Sequence, residues 1–265
     1  MTAKRALVKM VKPRVSAATW QRMRAVAAGL SRSAASRRAE AQLRNMDLSE
    51  LAVHFKTDKC GIHRYTQHYQ RHLEQWRNEQ FTLLEIGIGG YSRARQGGAS
   101  LRMWKHYFRK AQIIGLDIED KSFVIEDRIR AYRGSQVDEA ILHRIVDEAG
   151  PIRVIVDDGS HRPEHIRKTF ALLFPLLEQG GIYIIEDTQT SYWPDWGGSH
   201  DRQDPNTTMG LVKDLVDGLN YEEFDDETYE PTYTDRNIVA IHSYHNLAII
   251  EKGPNAEGTL RRPTR

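Results

Sequence analysis

Four short apolar runs, each with an acidic residue at or near its carboxyl end, constrain this chain more than any other feature. They are residues 81–87 (FTLLEIG), 112–118 (QIIGLDI), 152–158 (IRVIVDD) and 182–187 (IYIIED). Unbroken apolar runs of this length read as strands buried on both faces, the pattern of a parallel sheet. Between them the spacing predicts helices over 99–109 and 137–149. A third helix opens at Pro163 and is expected to reach Glu178, with Gly180-Gly181 as its breaker. Residues 129–133 read as a further strand and 207–218 as a further helix. Residues 238–251 (IVAIHSYHNLAIIE) read as two strands around a tight turn at His245-Asn246. Strand and helix in alternation predict an α/β fold: a mostly parallel sheet, helices on both faces, and a C-terminal antiparallel hairpin.

Upstream of the first strand, Asp47-Leu48-Ser49-Glu50 has the form of a helix start, with Asp47 as cap and Glu50 three residues on. Residues 54–63 are polar and irregular, and a helix is expected from Tyr65 to about Asn78. The first 45 residues carry eleven Lys or Arg against one acid, Glu40, and suggest one or two short helices. The chain therefore divides into a basic helical arm, 1–46, and a larger domain, 47–265. A basic arm suits nucleic acid or an anionic membrane surface, but equally a solvated helical face against a partner subunit. The plainer reading is preferred, so a nucleic-acid ligand is not expected. Arg22, Arg24 and Arg32 interrupt the apolar stretches of the arm, which rules against a signal peptide. No apolar run approaches the ~18 residues of a membrane span. Cys60 is the only cysteine, so there is no internal disulfide, and a reducing, cytoplasmic setting is expected.

Open α/β sheets bind ligands beyond the carboxyl ends of their strands. Those ends hold Glu85, Asp117, Asp157-Asp158 and Glu186-Asp187. The turn Glu85-Ile86-Gly87-Ile88-Gly89-Gly90 is glycine-rich, but Ser92 stands where a dinucleotide fingerprint has its third glycine. A cofactor without a pyrophosphate, such as S-adenosylmethionine, does not need it. Asp117 is placed to accept both ribose hydroxyls of an adenosine, which S-adenosylmethionine and NAD satisfy alike. Asp158, Glu186 and Asp187 would repel one another if left unpaired, so convergence on Mg²⁺ is the economical arrangement. His161 is placed to act as a general base, since a histidine of ordinary pKa, about 6.5, is available in its neutral form near pH 7. The other ten histidines show no metal-ligand spacing in sequence, and no zinc site is expected. The long loop 188–204 carries Tyr192, Trp193 and Trp196, flat side chains suited to stacking on sugar CH faces.

At LLEIGIGG, GGASLRMWKHYF, IIGLDI, VDDGSH and IIEDTQTSYW the sequence resembles the metal-dependent sugar O-methyltransferases of macrolide and polyketide biosynthesis, over roughly residues 47–252. The resemblance implies a Rossmann-like class I methyltransferase fold, S-adenosylmethionine and Mg²⁺ as cofactors, and a sugar or oligosaccharide acceptor. It implies Mg²⁺ ligation by Asp158, Glu186 and Asp187, and His161 as base. Cofactor contacts would come from Thr57, Glu85, Gly87, Gly89, Ser100 (with Ser92 as alternative), Asp117, Gln136 and Asp157. Similarity to the mycobacterial methylmannose-polysaccharide branch points to the 1-OH of a 3-O-methylated mannoside. A deoxysugar on a macrolide or polyketide, or a catechol, is the alternative. Relatives of this kind commonly associate, so a homo-oligomer is expected.

Overall fold

The computed structural model describes residues 38–91, 93 and 95–260. The chain forms two units, Met1–Met46 and Asp47–Arg265. In the first, residues 38–45 are helical, with an Arg44–Glu40 ion pair one turn apart. One or two short helices are expected within residues 1–45; residues 1–37 of that stretch, and Ser92, lie outside the described residues.

The second unit holds one seven-stranded sheet. Its strands are β1 (Thr82–Ile86), β2 (Gln112–Asp117), β3 (Ile129–Arg133), β4 (Ile152–Asp157), β5 (Leu177–Glu186), β6 (Ile238–Tyr244) and β7 (Leu247–Lys252), in the spatial order β3-β2-β1-β4-β5-β7-β6. Strands β1 to β5 pair in parallel, and β7 joins antiparallel to both β5 and β6. Chain order reverses between β1 and β4, the place where such sheets open a ligand crevice.

Strand side chains alternate between faces, and this sorts the core. Leu84, Ile86, Ile114, Leu116, Ile155, Tyr183 and Ile185 pack into one cluster with three helices. These are α4 (Glu139–Ala149), α5 (Pro163–Leu173) and α6 (Thr208–Gly218). The opposite face is covered by α1 (Leu48–Phe55), α2 (Thr66–Leu73) and α3 (Ala99–Tyr107), through Leu51, Tyr69, Leu101 and Trp104. A short α7 (Tyr233–Asn237) leads into β6.

Asp47 and Glu50 form a capping box at the start of α1, as expected. Two helices stop several residues earlier than expected, and α3 stops two residues short, at Tyr107. α5 ends at Leu173, because Pro175 has no N–H with which to extend the ladder. β5 then begins at Leu177, so Gly180-Gly181 lie inside an irregular strand rather than beyond a helix. α2 ends at Leu73 and tightens into a 3₁₀ turn, Glu74–Trp76.

Candidate active site

The alternation that sorts the core also sorts the acids. Glu85 on β1, Asp158 just after β4 and Glu186 on β5 all turn toward the α1–α3 face. There they meet one ammonium, that of Lys59. Its Nζ lies 2.7 Å from Glu186 Oε1, 2.8 Å from Asp158 Oδ2 and 3.4 Å from Glu85 Oε1. The end of α1 delivers it: Lys56 takes a left-handed backbone (φ 61°), and the chain then turns inward through Thr57 and Asp58. Burial alone would lower the Lys59 pKa, but Asp158, Glu186 and Glu85 outweigh it and hold the ammonium well above its ordinary value. Tyr69 of α2 donates to the same Glu186 oxygen. Tyr65 donates to Asp187 Oδ1 at 2.7 Å, and the Asn246 carbonyl lies 3.1 Å from the same hydroxyl.

One ammonium does not neutralise this group. Burial, then the neighbouring Asp158, push Glu186 well above the usual carboxylate range, against the pull of Lys59 and Tyr69. Burial pushes Glu85 up to about 7 despite Lys59, and raises Asp158 despite Lys59 and His161. Carboxylates held in this way favour a bound cation, which removes the repulsion without protonation. The carboxylates of Asp158 and Asp187 suit one, with the His161 imidazole beside them: one donor atom from each of the three lies within 4.8 Å of the others. His161 Nε2 is 3.9 Å from Asp158 Oδ1 and 3.7 Å from Asp187 Oδ2, while its Nδ1 is buried without a hydrogen-bond partner. Both His161 and Asp187 sit at φ 55°, the left-handed region that non-glycine residues rarely occupy. Such strain persists where the surroundings enforce it, and it gathers at working sites. Glu186 differs from its expected companions: it is buried, its Oε1 accepts from both Lys59 and Tyr69, and it lies outside the cluster that Asp158 and Asp187 form with His161.

Asp157 belongs to the other face. Period-two alternation carries it away from Asp158, into the core beside Tyr183 and Gln136, whose groups donate to it at 3.2 Å each. Burial pushes it up to about 7. Gln136 also donates to Thr169 and accepts from the Ser160 amide, which ties the β3 exit to the β4 turn. Both residues therefore shape the rim from beneath.

Across the switch point the rim is built from backbone. Asp117 accepts the Ile88 and Glu119 amides, each at 2.9 Å. Gly87 (φ 88°) packs so closely on the β4 turn that a Cβ would stand 2.1 Å from the Asp158 carbonyl oxygen. Gly89 (φ 74°) has nothing within 4 Å of where its Cβ would be. Ser100 is buried at the start of α3, and Thr57 in the turn before Lys59. The loop after β5 forms two 3₁₀ turns, Thr188–Tyr192 and Pro194–Trp196. Tyr192, Trp193 and Trp196 are each more than 40% exposed and, with His200, line a cleft of about 330 Å³. The Trp196 and His161 rings lie 6.3 Å apart.

Lys59, Tyr65, Tyr69 and Tyr183 are the contributors that sequence reasoning missed. Tyr65, Tyr69 and Leu73, four residues apart, are the only trace of a buried stripe on a helix that is otherwise polar.

No protein-family model matches the chain. It is 49% identical over 220 residues to the mycinamicin VI 2''-O-methyltransferase of Micromonospora griseorubida, covering 82% of this chain and 55% of that protein. It is 49% identical over 217 residues to the demethylmacrocin O-methyltransferase of Streptomyces fradiae, covering 81% and 55%. The chain spans about half the length of the curated relatives it matches. Among solved structures it resembles the MycE methyltransferase of the mycinamycin pathway in complex with Mg and SAH, at TM-score 0.79 and 49% identity, over 82% of this chain and 57% of that one. The homologues are sugar O-methyltransferases of macrolide and polyketide pathways, and the fold is the Rossmann-like class I methyltransferase fold expected from the sequence. The expected mannoside gains no support from them. The acceptors they name are mycinamicin VI, demethylmacrocin, and rhamnosyl or olivosyl compounds.

Proposed function

We propose that this chain is an S-adenosylmethionine- and Mg²⁺-dependent O-methyltransferase acting on a hydroxyl of a sugar, of the kind attached to a macrolide or polyketide. The observation that carries the reading is the gathering of Asp158, Asp187 and His161 at the carboxyl rim, next to an aromatic cleft. When bound, S-adenosylmethionine would supply the electrophilic methyl group and Mg²⁺ would supply Lewis acidity at the acceptor oxygen. Asp158 and Asp187 would hold the metal. Glu186 would complete the ligand set or hold its charge balance through Lys59. Lys59 keeps Asp158 and Glu186 in place, Tyr65 fixes Asp187, and His161 Nε2 takes the proton of the reacting hydroxyl. Asp117 and the Gly87–Gly89 turn bind the adenosine end, with Ser100 and Thr57 nearby, while Tyr192, Trp193 and Trp196 stack on the sugar. The named relatives favour a deoxysugar over the 1-OH of a 3-O-methylated mannoside. A catechol acceptor would need the same metal but not the wide aromatic cleft.

The test is a mass-spectrometric acceptor screen with S-adenosylmethionine and Mg²⁺, offering rhamnosides and olivosides, a 3-O-methylated mannoside, and a catechol. Metal-dependent mass gain of one methyl group on a glycoside is expected. Full transfer in excess chelator, or transfer to the catechol alone, would overturn the reading.

A further inference from the structure

Away from the rim, the sheet edge brings together three side chains that no step above uses. His72 lies at the end of α2, His242 on β6 and Glu251 on β7, and one ligand atom from each lies within 4.8 Å of the others. Glu251 Oε1 stands between the two rings, 2.8 Å from His242 Nε2 and 3.5 Å from His72 Nδ1. A tetrahedral ion with metal–ligand bonds of about 2.0–2.1 Å sets its donors about 3.3 Å apart, so these gaps straddle what such an ion requires. Two imidazoles and one carboxylate form a donor set that suits late first-row divalent ions, whereas Mg²⁺ prefers oxygen.

A second feature points the same way. The outer nitrogen of His72, Nε2, lies 2.9 Å from the Tyr244 hydroxyl. When Nε2–H donates to that oxygen, an outer-shell bond of the kind metal-bound histidines make, Nδ1 keeps its lone pair for an ion held beside Glu251. Tyr244 is itself held by the stacked His68 ring, at 3.7 Å between centroids. His72 is nearly buried, while His242 and Glu251 are about one-third exposed, so the cluster is organised yet open to solvent.

We infer that His72, His242 and Glu251 form a second metal site, for Zn²⁺ or a similar transition ion, distinct in place and chemistry from the oxygen-rich rim. The ion would clip α2 to the β6–β7 hairpin. Tyr69 and Tyr65 of the same buried stripe reach Glu186 and Asp187, so the clip would brace the helix that holds the rim acids.

The experiment uses the full, tag-free chain, stripped of metal and then saturated with Mg²⁺. Co²⁺ serves as the spectroscopic probe and Zn²⁺ as its competitor. The expected result is one Co²⁺ per chain with tetrahedral visible absorption, displaced by Zn²⁺. Asp158→Asn should retain the signal, and His242→Ala and Glu251→Gln should lose it with the fold intact by circular dichroism. Tyr244→Phe should weaken Co²⁺ binding by about 10–100-fold. Three results would overturn the inference: no tetrahedral spectrum, a spectrum that disappears with Asp158→Asn, or wild-type Co²⁺ affinity in His242→Ala.

Discussion

The two halves of the carboxyl rim are built by different means. On the β1–β2 side, apart from Glu85, which turns inward to Lys59, the chain offers backbone amides, glycine turns and the carboxylate of Asp117, which accepts two N–H groups. On the β4–β5 side it concentrates charge: Asp158 and Glu186 meet a single lysine, Lys59, and Asp187 lies beside them against Tyr65 and His161. The first half can accept a largely preformed ligand with little change in its own electrostatics. The second is short of positive charge until something supplies it. A cofactor that carries its own sulfonium and an acceptor that must lose a proton call for these two different surfaces side by side.

The sharpest way to test that contrast is to remove the lysine. Lys59→Met leaves buried acids uncompensated and should cost about 3–5 kcal/mol of unfolding free energy in metal-free protein, read by urea titration. Added Mg²⁺ should recover part of the loss. Asp158→Ala should reduce methyl transfer by about 10³-fold, several kcal/mol of lost activation, while calorimetry shows S-adenosylmethionine binding nearly unchanged. An equal loss of cofactor binding would erase the division between the halves. His161→Ala should lower kcat by about 10²-fold or more and flatten the limb of the pH–rate profile that reports the base. If Mg²⁺ affinity falls as far, the imidazole is a ligand instead. Asp117→Ala should weaken S-adenosylmethionine by about 10–100-fold, the worth of charged hydrogen bonds, with kcat at saturation close to wild type.

A pH-dependent effect concerns Asp157. Its ordinary pKa is 3.8 and the folded value is about 7. Between those values the folded chain holds more protons than the unfolded one, so this carboxyl contributes stability below about pH 4 that is lost as pH rises through about 7. Asp157→Asn should remove that loss. Its melting temperature relative to wild type should climb across the window and level off above it.

The main lines of the fold and half of the site were legible because they obey local rules. Buried parallel strands announce themselves as apolar runs, and the acids at their ends mark the rim. The rest depends on contacts that no local pattern encodes. Lys59 sits in a polar stretch that reads as surface, and its partners lie 99 and 127 residues away. Asp157 and Asp158 are neighbours in sequence, but the pleat sends them to opposite faces. His72 and His242 have no ligand spacing in sequence because a helix and an edge strand from distant parts of the chain bring them together.

The missing side chain of Gly87 has a mechanical consequence. The first turn and the fourth rest directly on each other, carbonyl against α-carbon, with no compressible group between them. The distance from the Gly87–Gly89 turn, the proposed adenosine site, to Asp158 is thus set by main-chain contact. An alanine at this position would drive the two turns apart and lengthen the path the methyl group has to travel, even with every polar residue of the rim intact.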